Sequence, residues 1–124
     1  MRLNPINAPI LKERHVRLPK VLKASNGRAC VRCKKLDGTT VYAHYTGIRQ
    51  HSLGKGMAVK CHDCCGADLC SECHAHFDQY RGCDGSEQSR IRLSEEFLYY
   101  CLLTSIRNHQ EGVIGELSSV KNYH

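Results

Sequence analysis

Nine cysteines fall in this 124-residue chain, and six of them form three C-x-x-C pairs: Cys30/Cys33, Cys61/Cys64 and Cys70/Cys73. That spacing lets one tight turn present two thiolates to a single tetrahedral zinc ion, and it constrains the fold more than any other feature. A secreted disulfide scaffold is the competing reading of so many cysteines. The count is odd, the cysteines cluster in pairs, and no basic n-region with an apolar h-region opens the sequence. Structural zinc in a reducing cytoplasm is therefore the expectation. No stretch is apolar over the roughly 18 residues that a membrane-spanning helix needs. With no Trp and 41% hydrophobic residues, one small domain with flexible ends is expected. A metal staple contributing on the order of 10 kcal/mol suits so small a core.

Two C-x-x-C pairs make one four-thiolate site. Cys30/Cys33 is followed by Lys34, Lys35 and the turn Leu36-Asp37-Gly38, while Cys70/Cys73 runs into a helical pattern. Cys30, Cys33, Cys70 and Cys73 are accordingly assigned to one structural Zn2+. Cys61/Cys64 lies in a stretch that reads equally as a strand, where Cys64 and Cys65 act as small apolar side chains. Whether Cys61 or His62 joins a second zinc stays open, and Cys83 and Cys101 are given no metal role. With Ser71 as N-cap and Gly82 as stop, residues 71–81 are predicted helical. His74 and Asp78 then lie one turn apart on one face, where imidazole and carboxylate can hold a harder divalent ion, Mg2+ or Mn2+. The alternative is a single zinc knuckle containing Cys73 and His74, with Asp78 a solvated helix residue.

Charge is unevenly placed. Residues 1–28 hold seven basic side chains against one acidic one, whereas residues 29–124 hold eleven of each. A basic arm on a neutral body suggests a polyanionic partner, most simply nucleic acid; a solubilising tail is the alternative. With Pro5, Pro9, Pro19 and no hydrophobic period, residues 1–27 read as an extended arm. Ile10, Leu11, Val16, Leu18, Val21 and Leu22 can dock it on the body. Residues 39–45 read as a strand, with Val41, Ala43 and Tyr45 on one face and Tyr42 and His44 on the other. A basic loop with Arg49, His51 and Lys55 follows, then a short return strand at residues 57–59. Leu93, Phe97, Leu98, Cys101, Leu102 and Ile106 recur at helical spacing. They predict a helix over residues 94–109, N-capped by Ser94, with those side chains as its apolar face.

The order C-x-x-C, Ala43-His44 on a strand, a Gly-containing loop, then Leu69-Cys70-Ser71-Glu72-Cys73-His74 resembles the zinc-knuckle branch of the HNH (ββα-metal) nucleases. Four features narrow the resemblance: Ala43-His44, Asp63 seven residues before Cys70, Cys73-His74-Ala75-His76-Phe77-Asp78, and Glu111-Gly112-Val113-Ile114. Together they resemble the small phage- and prophage-encoded nucleases of that class, once filed as a domain of unknown function. The likeness covers residues 24–114.

It implies a small α+β zinc-stabilised domain with a ββα-metal (HNH-like) core, zinc knuckles and an additional C-terminal helix. That domain would span residues 28–114, between the basic arm of 1–27 and a tail of 115–124. The resemblance further implies a metal-dependent endonuclease acting on DNA in the cytoplasm of a bacterial host, in phage recombination or DNA processing. A phage or host recombination protein is the further partner it suggests. In the wider pattern Asp or His precedes the general-base His; Ala43 stands there instead. The metal site then has fewer protein ligands, completed by substrate phosphate and water, as Mg2+ prefers.

Phosphodiester hydrolysis needs a water made nucleophilic and a cation where charge builds. A neutral imidazole accepts a proton at physiological pH, so His44 on its strand is the candidate base. A hydrogen-bonded core histidine is the alternative reading of His44. His74 and Asp78 are assigned to the catalytic ion, and Arg49, His51 and Lys55 to flanking phosphates. Asp63 is either a third metal contact or a residue that fastens the loop. The competing functional class is a non-catalytic zinc-binding module that binds nucleic acid or protein.

Overall fold

A computed structural model describes residues 15–115. Strands β1 (Val41–His44) and β2 (Gly66–Leu69) pair antiparallel, with a 3-10 turn at Gln50–Leu53 in the loop between them. Helix α1 (Pro19–Ala24) precedes β1, α2 (Ser71–Asp78) follows β2 directly, and α3 (Glu87–Gln110) packs on β2. The described chain is thus a small α+β structure. Arm residues 1–14, Ile10 and Leu11 among them, and tail residues 116–124 lie outside the described residues. Among the described residues no helix is long and apolar enough to cross a membrane.

The register sets Val41 opposite Leu69, Tyr42 opposite Asp68, Ala43 opposite Ala67 and His44 opposite Gly66. Position 66 needs glycine: a Cβ there would lie 2.5 Å from the Tyr42 ring and 2.9 Å from the Ala43 carbonyl oxygen. Ala43, Ala67 and Leu69 join Tyr45, Phe77 and Phe97 in the core. Phe77 and Phe97 stack with ring centroids 4.4 Å apart, which locks α2 against α3. The buried Tyr45 hydroxyl bonds Ser94 of α3 and accepts the Arg49 N–H at 2.9 Å, fixing the loop that leaves β1.

A two-stranded sheet leaves the far edge of β2 with backbone groups to satisfy. The Val31 N–H donates to the Asp68 carbonyl at 2.8 Å, and the Asp68 N–H donates to Thr104 Oγ1 at 3.0 Å. The Asp68 side chain is wholly buried, and desolvating an unpaired carboxylate costs several kcal/mol. Arg28 Nη1 and Arg107 Nη1 each donate to its Oδ2 at 2.9 Å, and Ser25 Oγ donates to its Oδ1. One strand residue therefore gathers the first C-x-x-C turn, the segment after α1 and the C-terminal half of α3.

Helix α3 begins at Glu87, seven residues before the expected start, because Ser86 rather than Ser94 caps it and accepts the Ser89 N–H at 3.1 Å. Residues 87–92 are mostly Glu, Gln and Arg, good helix formers that carry little apolar period. The buried face of α3 also differs from the expected one: Ser94, Phe97, Cys101, Thr104 and Asn108 are buried, while Leu102 is 65% and Ile106 52% exposed. Polar residues hold that face because each is hydrogen-bonded, Ser94 to Tyr45, Thr104 to β2, and Asn108 Oδ1 to Arg28 at 2.6 Å.

Helix α2 stops at Asp78, short of residue 81, as Tyr80 turns to a φ of 50°, and Cys70 rather than Ser71 occupies its N-cap position. Residues 19–24, expected to be extended, are helical: Pro19 suits the first helical position and Val21 is buried. In place of the return strand at 57–59 there is a lone bridge between Gly56 and Val59, with Met57 96% exposed. The true partner of β1 is β2, in which every residue is buried.

Asp68→Ala would leave Arg107 without its acidic partner and Arg28 with Glu111 alone. It is expected to lower stability by about 3–5 kcal/mol, read as a lower urea midpoint at unchanged m-value. Leu102→Ala, on the exposed face of α3, is expected to stay within about 0.5 kcal/mol of the parent.

Candidate metal centre and active-site cleft

The first C-x-x-C turn closes because Lys34 adopts a left-handed φ of 69°. Its N–H then reaches the Cys30 carbonyl at 2.9 Å while the Cys30 N–H donates to the Lys35 carbonyl at 2.8 Å. The second turn is the junction of β2 and α2. Cys70 sits at the N-cap, Cys73 in the first helical turn, and the His74 N–H donates to the Cys70 carbonyl at 2.8 Å. The four Sγ atoms of Cys30, Cys33, Cys70 and Cys73 lie within 4.8 Å of one another, with Cys33 and Cys70 3.7 Å apart. Zn–S bonds of about 2.3 Å place tetrahedral sulfurs about 3.8 Å apart, so these four cysteines can hold a metal ion such as zinc.

Their surroundings act on the free thiols in opposite directions, holding Cys30 down and Cys33 and Cys73 up. Burial pushes the Cys30 thiol up, but backbone hydrogen bonds from Cys33, Cys70 and Arg32 outweigh it and hold the thiol below its ordinary value. Burial likewise pushes Cys73 up, opposed by Arg32, whose Nη1 donates to the Cys73 sulfur at 3.3 Å. Arg32 also pairs with Glu96 of α3 at 3.1 Å and lies over the Phe77 ring, tying the centre to both helices. Among the described residues no other three or more metal-capable side chains bring their ligand atoms within 4.8 Å of one another. Cys61 is buried with its Sγ donating to the Tyr45 carbonyl at 3.1 Å, and His62 Nδ1 accepts the Val16 N–H at 2.9 Å.

His44 ends β1, His74 lies midway along α2, and Asp78 ends that helix. All three line one cleft of about 300 Å3, together with Lys55 and Lys60. His74 Nε2 and Asp78 Oδ2 are 3.1 Å apart, and Thr46 Oγ1 donates to Asp78 Oδ1 at 3.4 Å. At 3.1 Å the His74 and Asp78 groups are within hydrogen-bond reach of each other, one helical turn apart. Ala43 is buried in the core and offers no ligand.

Asp63 lies behind the cleft and serves as a fastener. Its Oδ1 meets His44 Nε2 at 2.9 Å, its Oδ2 accepts the Leu18 N–H at 2.8 Å, and its own N–H donates to the Val16 carbonyl at 2.9 Å. Of the three residues expected to hold flanking phosphates, Lys55 lines the cleft, while Arg49 and His51 lie exposed at the 3-10 turn outside its lining. Lys60 is a cleft residue that pattern reading missed, since it sits in a stretch with no period and only its charge could have flagged it. The chain matches no protein-family model, no curated protein and no solved structure.

Metal analysis of purified protein is expected to give about one zinc per chain. Cys33→Ser is expected to lose that zinc and lower the melting temperature steeply, since structural zinc supplies on the order of 10 kcal/mol. Cys64→Ser is expected to leave both measurements unchanged.

Proposed function

We propose that this protein is a metal-dependent endonuclease that hydrolyses phosphodiester bonds in DNA, built on an HNH-like ββα core. The observation that carries the proposal is the convergence of His44, His74 and Asp78 on one cleft flanked by Lys55 and Lys60. The antiparallel β1–β2 pair running directly into α2 supports it as well, because it puts the strand histidine and the helical donor pair in the order that an HNH core requires. A phage or host recombination setting is what the resemblance adds.

In this reading His74 Nε2 and Asp78 would hold the divalent ion. When bound, the ion supplies positive charge to the non-bridging and leaving oxygens of the scissile phosphate. His44 Nδ1, the ring nitrogen not engaged by Asp63, takes a proton from water, and the resulting hydroxide oxygen bonds to phosphorus. The bond from phosphorus to the leaving sugar oxygen breaks, and that oxygen takes up a proton from solvent. Lys55 and Lys60 hold neighbouring phosphates, contacts that position the strand without reading its sequence. The four-cysteine centre acts at a distance from the chemistry, by holding α2 and β2 in place.

A second reading has one observation in its favour. Ala43 is buried and the donor set for the catalytic ion is sparse, as in a zinc-stapled binding module without catalysis.

Plasmid nicking separates the two. With Mg2+ or Mn2+ the protein is expected to cut, EDTA to abolish cutting, and His44→Ala to slow it by about 100-fold or more. Binding of DNA with no cleavage under either ion would select the binding module. Residues 1–14 carry Arg2, Lys12 and Arg14. Their deletion is expected to flatten the slope of log affinity against log salt by up to about 3, near 0.9 per lost phosphate contact. An unchanged slope would show that this segment grips no phosphate.

A further inference from the structure

The nuclease reading leaves unexplained why Asp63 is bound to His44 and, in turn, to the end of the basic arm. Residues 15–18 are stitched along residues 60–63 by four hydrogen bonds. His15 Nε2 meets the Lys60 carbonyl at 2.8 Å, and His62 Nδ1 accepts the Val16 N–H at 2.9 Å. The Val16 carbonyl accepts the Asp63 N–H at 2.9 Å, and the Leu18 N–H donates to Asp63 Oδ2 at 2.8 Å. Burial holds His62 below its ordinary value, with His15 adding to the effect, so its ring stays neutral and able to accept. The stitch ends on the carboxylate that touches His44.

We infer that Asp63, aimed by the Leu18 backbone N–H, is the positioning residue of the cleft: it locks His44 in the tautomer that carries its proton on Nε2 and leaves Nδ1 bare as the acceptor. An ionised carboxylate can only accept hydrogen bonds. Burial pushes the Asp63 carboxyl up, but the bonds from His44 and Leu18 outweigh it and hold the group below the usual carboxylate range, hence ionised. With Oδ1 accepting from Nε2–H, the neutral ring has no proton left for Nδ1, and Nδ1 makes no hydrogen bond among the described residues. The catalytic consequence of this arrangement rests on the nuclease reading; the tautomer does not.

The Leu18 N–H makes the inference sharp, because a backbone amide can only donate. In Asp63→Asn it selects the orientation in which Asn Oδ1 faces Leu18 and the Asn NH2 faces His44. The amide then donates to Nε2, which must become the acceptor, and the ring proton moves to Nδ1. An isosteric change thereby inverts the tautomer without removing a contact.

The test reads imidazole nitrogen-15 shifts of His44 at alkaline pH, alongside steady-state cleavage of plasmid with Mg2+. The parent is expected to show the Nε2–H form. Asp63→Asn is expected to show the Nδ1–H form, with kcat down by about 100- to 10,000-fold at unchanged KM, zinc content and melting temperature. Asp63→Glu, which keeps a carboxylate, is expected to restore the Nε2–H form and part of the rate. An Nδ1–H ring in the parent overturns the inference and needs no variant to fold. An unchanged tautomer in Asp63→Asn, or a loss of rate matched by a rise in KM, overturns it as well. A parent that never cuts removes the nuclease reading, while the parent and Asp63→Asn spectra still decide the role of Asp63.

Discussion

Four sulfur atoms within 4.8 Å of one another mark where two stretches of chain nearly forty residues apart meet, at a spacing that can hold a metal ion such as zinc. Everything that could act chemically lies between those stretches or immediately after the second. The first C-x-x-C turn carries Val31, whose N–H closes the far edge of β2, and the second forms the junction from β2 into α2. The cysteine cluster therefore sets the angle at which α2 leaves the sheet. His74 and Asp78, on α2, line the same cleft as His44, on the sheet. A metal staple suits a chain with so few large apolar side chains.

A second, metal-independent device works at the middle of β2. Asp68 is buried and engages two arginines, a serine and, through its backbone, Thr104 and Val31. Its ligands come from the segment after α1, the first knuckle and α3. Polar groups do here what a larger apolar core does elsewhere, and they are directional, so they define one arrangement more sharply than hydrophobic contact alone. The aromatic cluster of Tyr45, Phe77 and Phe97 supplies the non-directional part.

Elements with a strong local signal were legible from the residues. β-branched and aromatic side chains marked β1, the run after Cys70 marked α2, and the knuckle contexts paired Cys30 and Cys33 with Cys70 and Cys73. Reading failed where a tertiary partner overrode local pattern. Ser94 reads as a helix cap, yet it is buried against Tyr45, and Leu102 and Ile106 read as core, yet they face outward. Gly66–Leu69 carries only four residues and no alternation, because both its faces are covered. Residues 19–24 follow a proline that can equally begin a helix, and burial of Val21 decided for the helix.

By itself the amino-acid sequence determined the chemistry available: thiolates in paired turns, an imidazole and carboxylate one helical turn apart, a strand histidine and a basic N-terminal segment. Those follow from residue identity and short-range spacing, which local geometry converts directly into position. Only the tertiary structure decided that Asp63 backs His44, that Lys60 shares the cleft, and that the end of the arm is bound into the body at residues 15–18. These relations join residues well separated in sequence across loops without period, and no local rule connects such positions until the sheet brings them together.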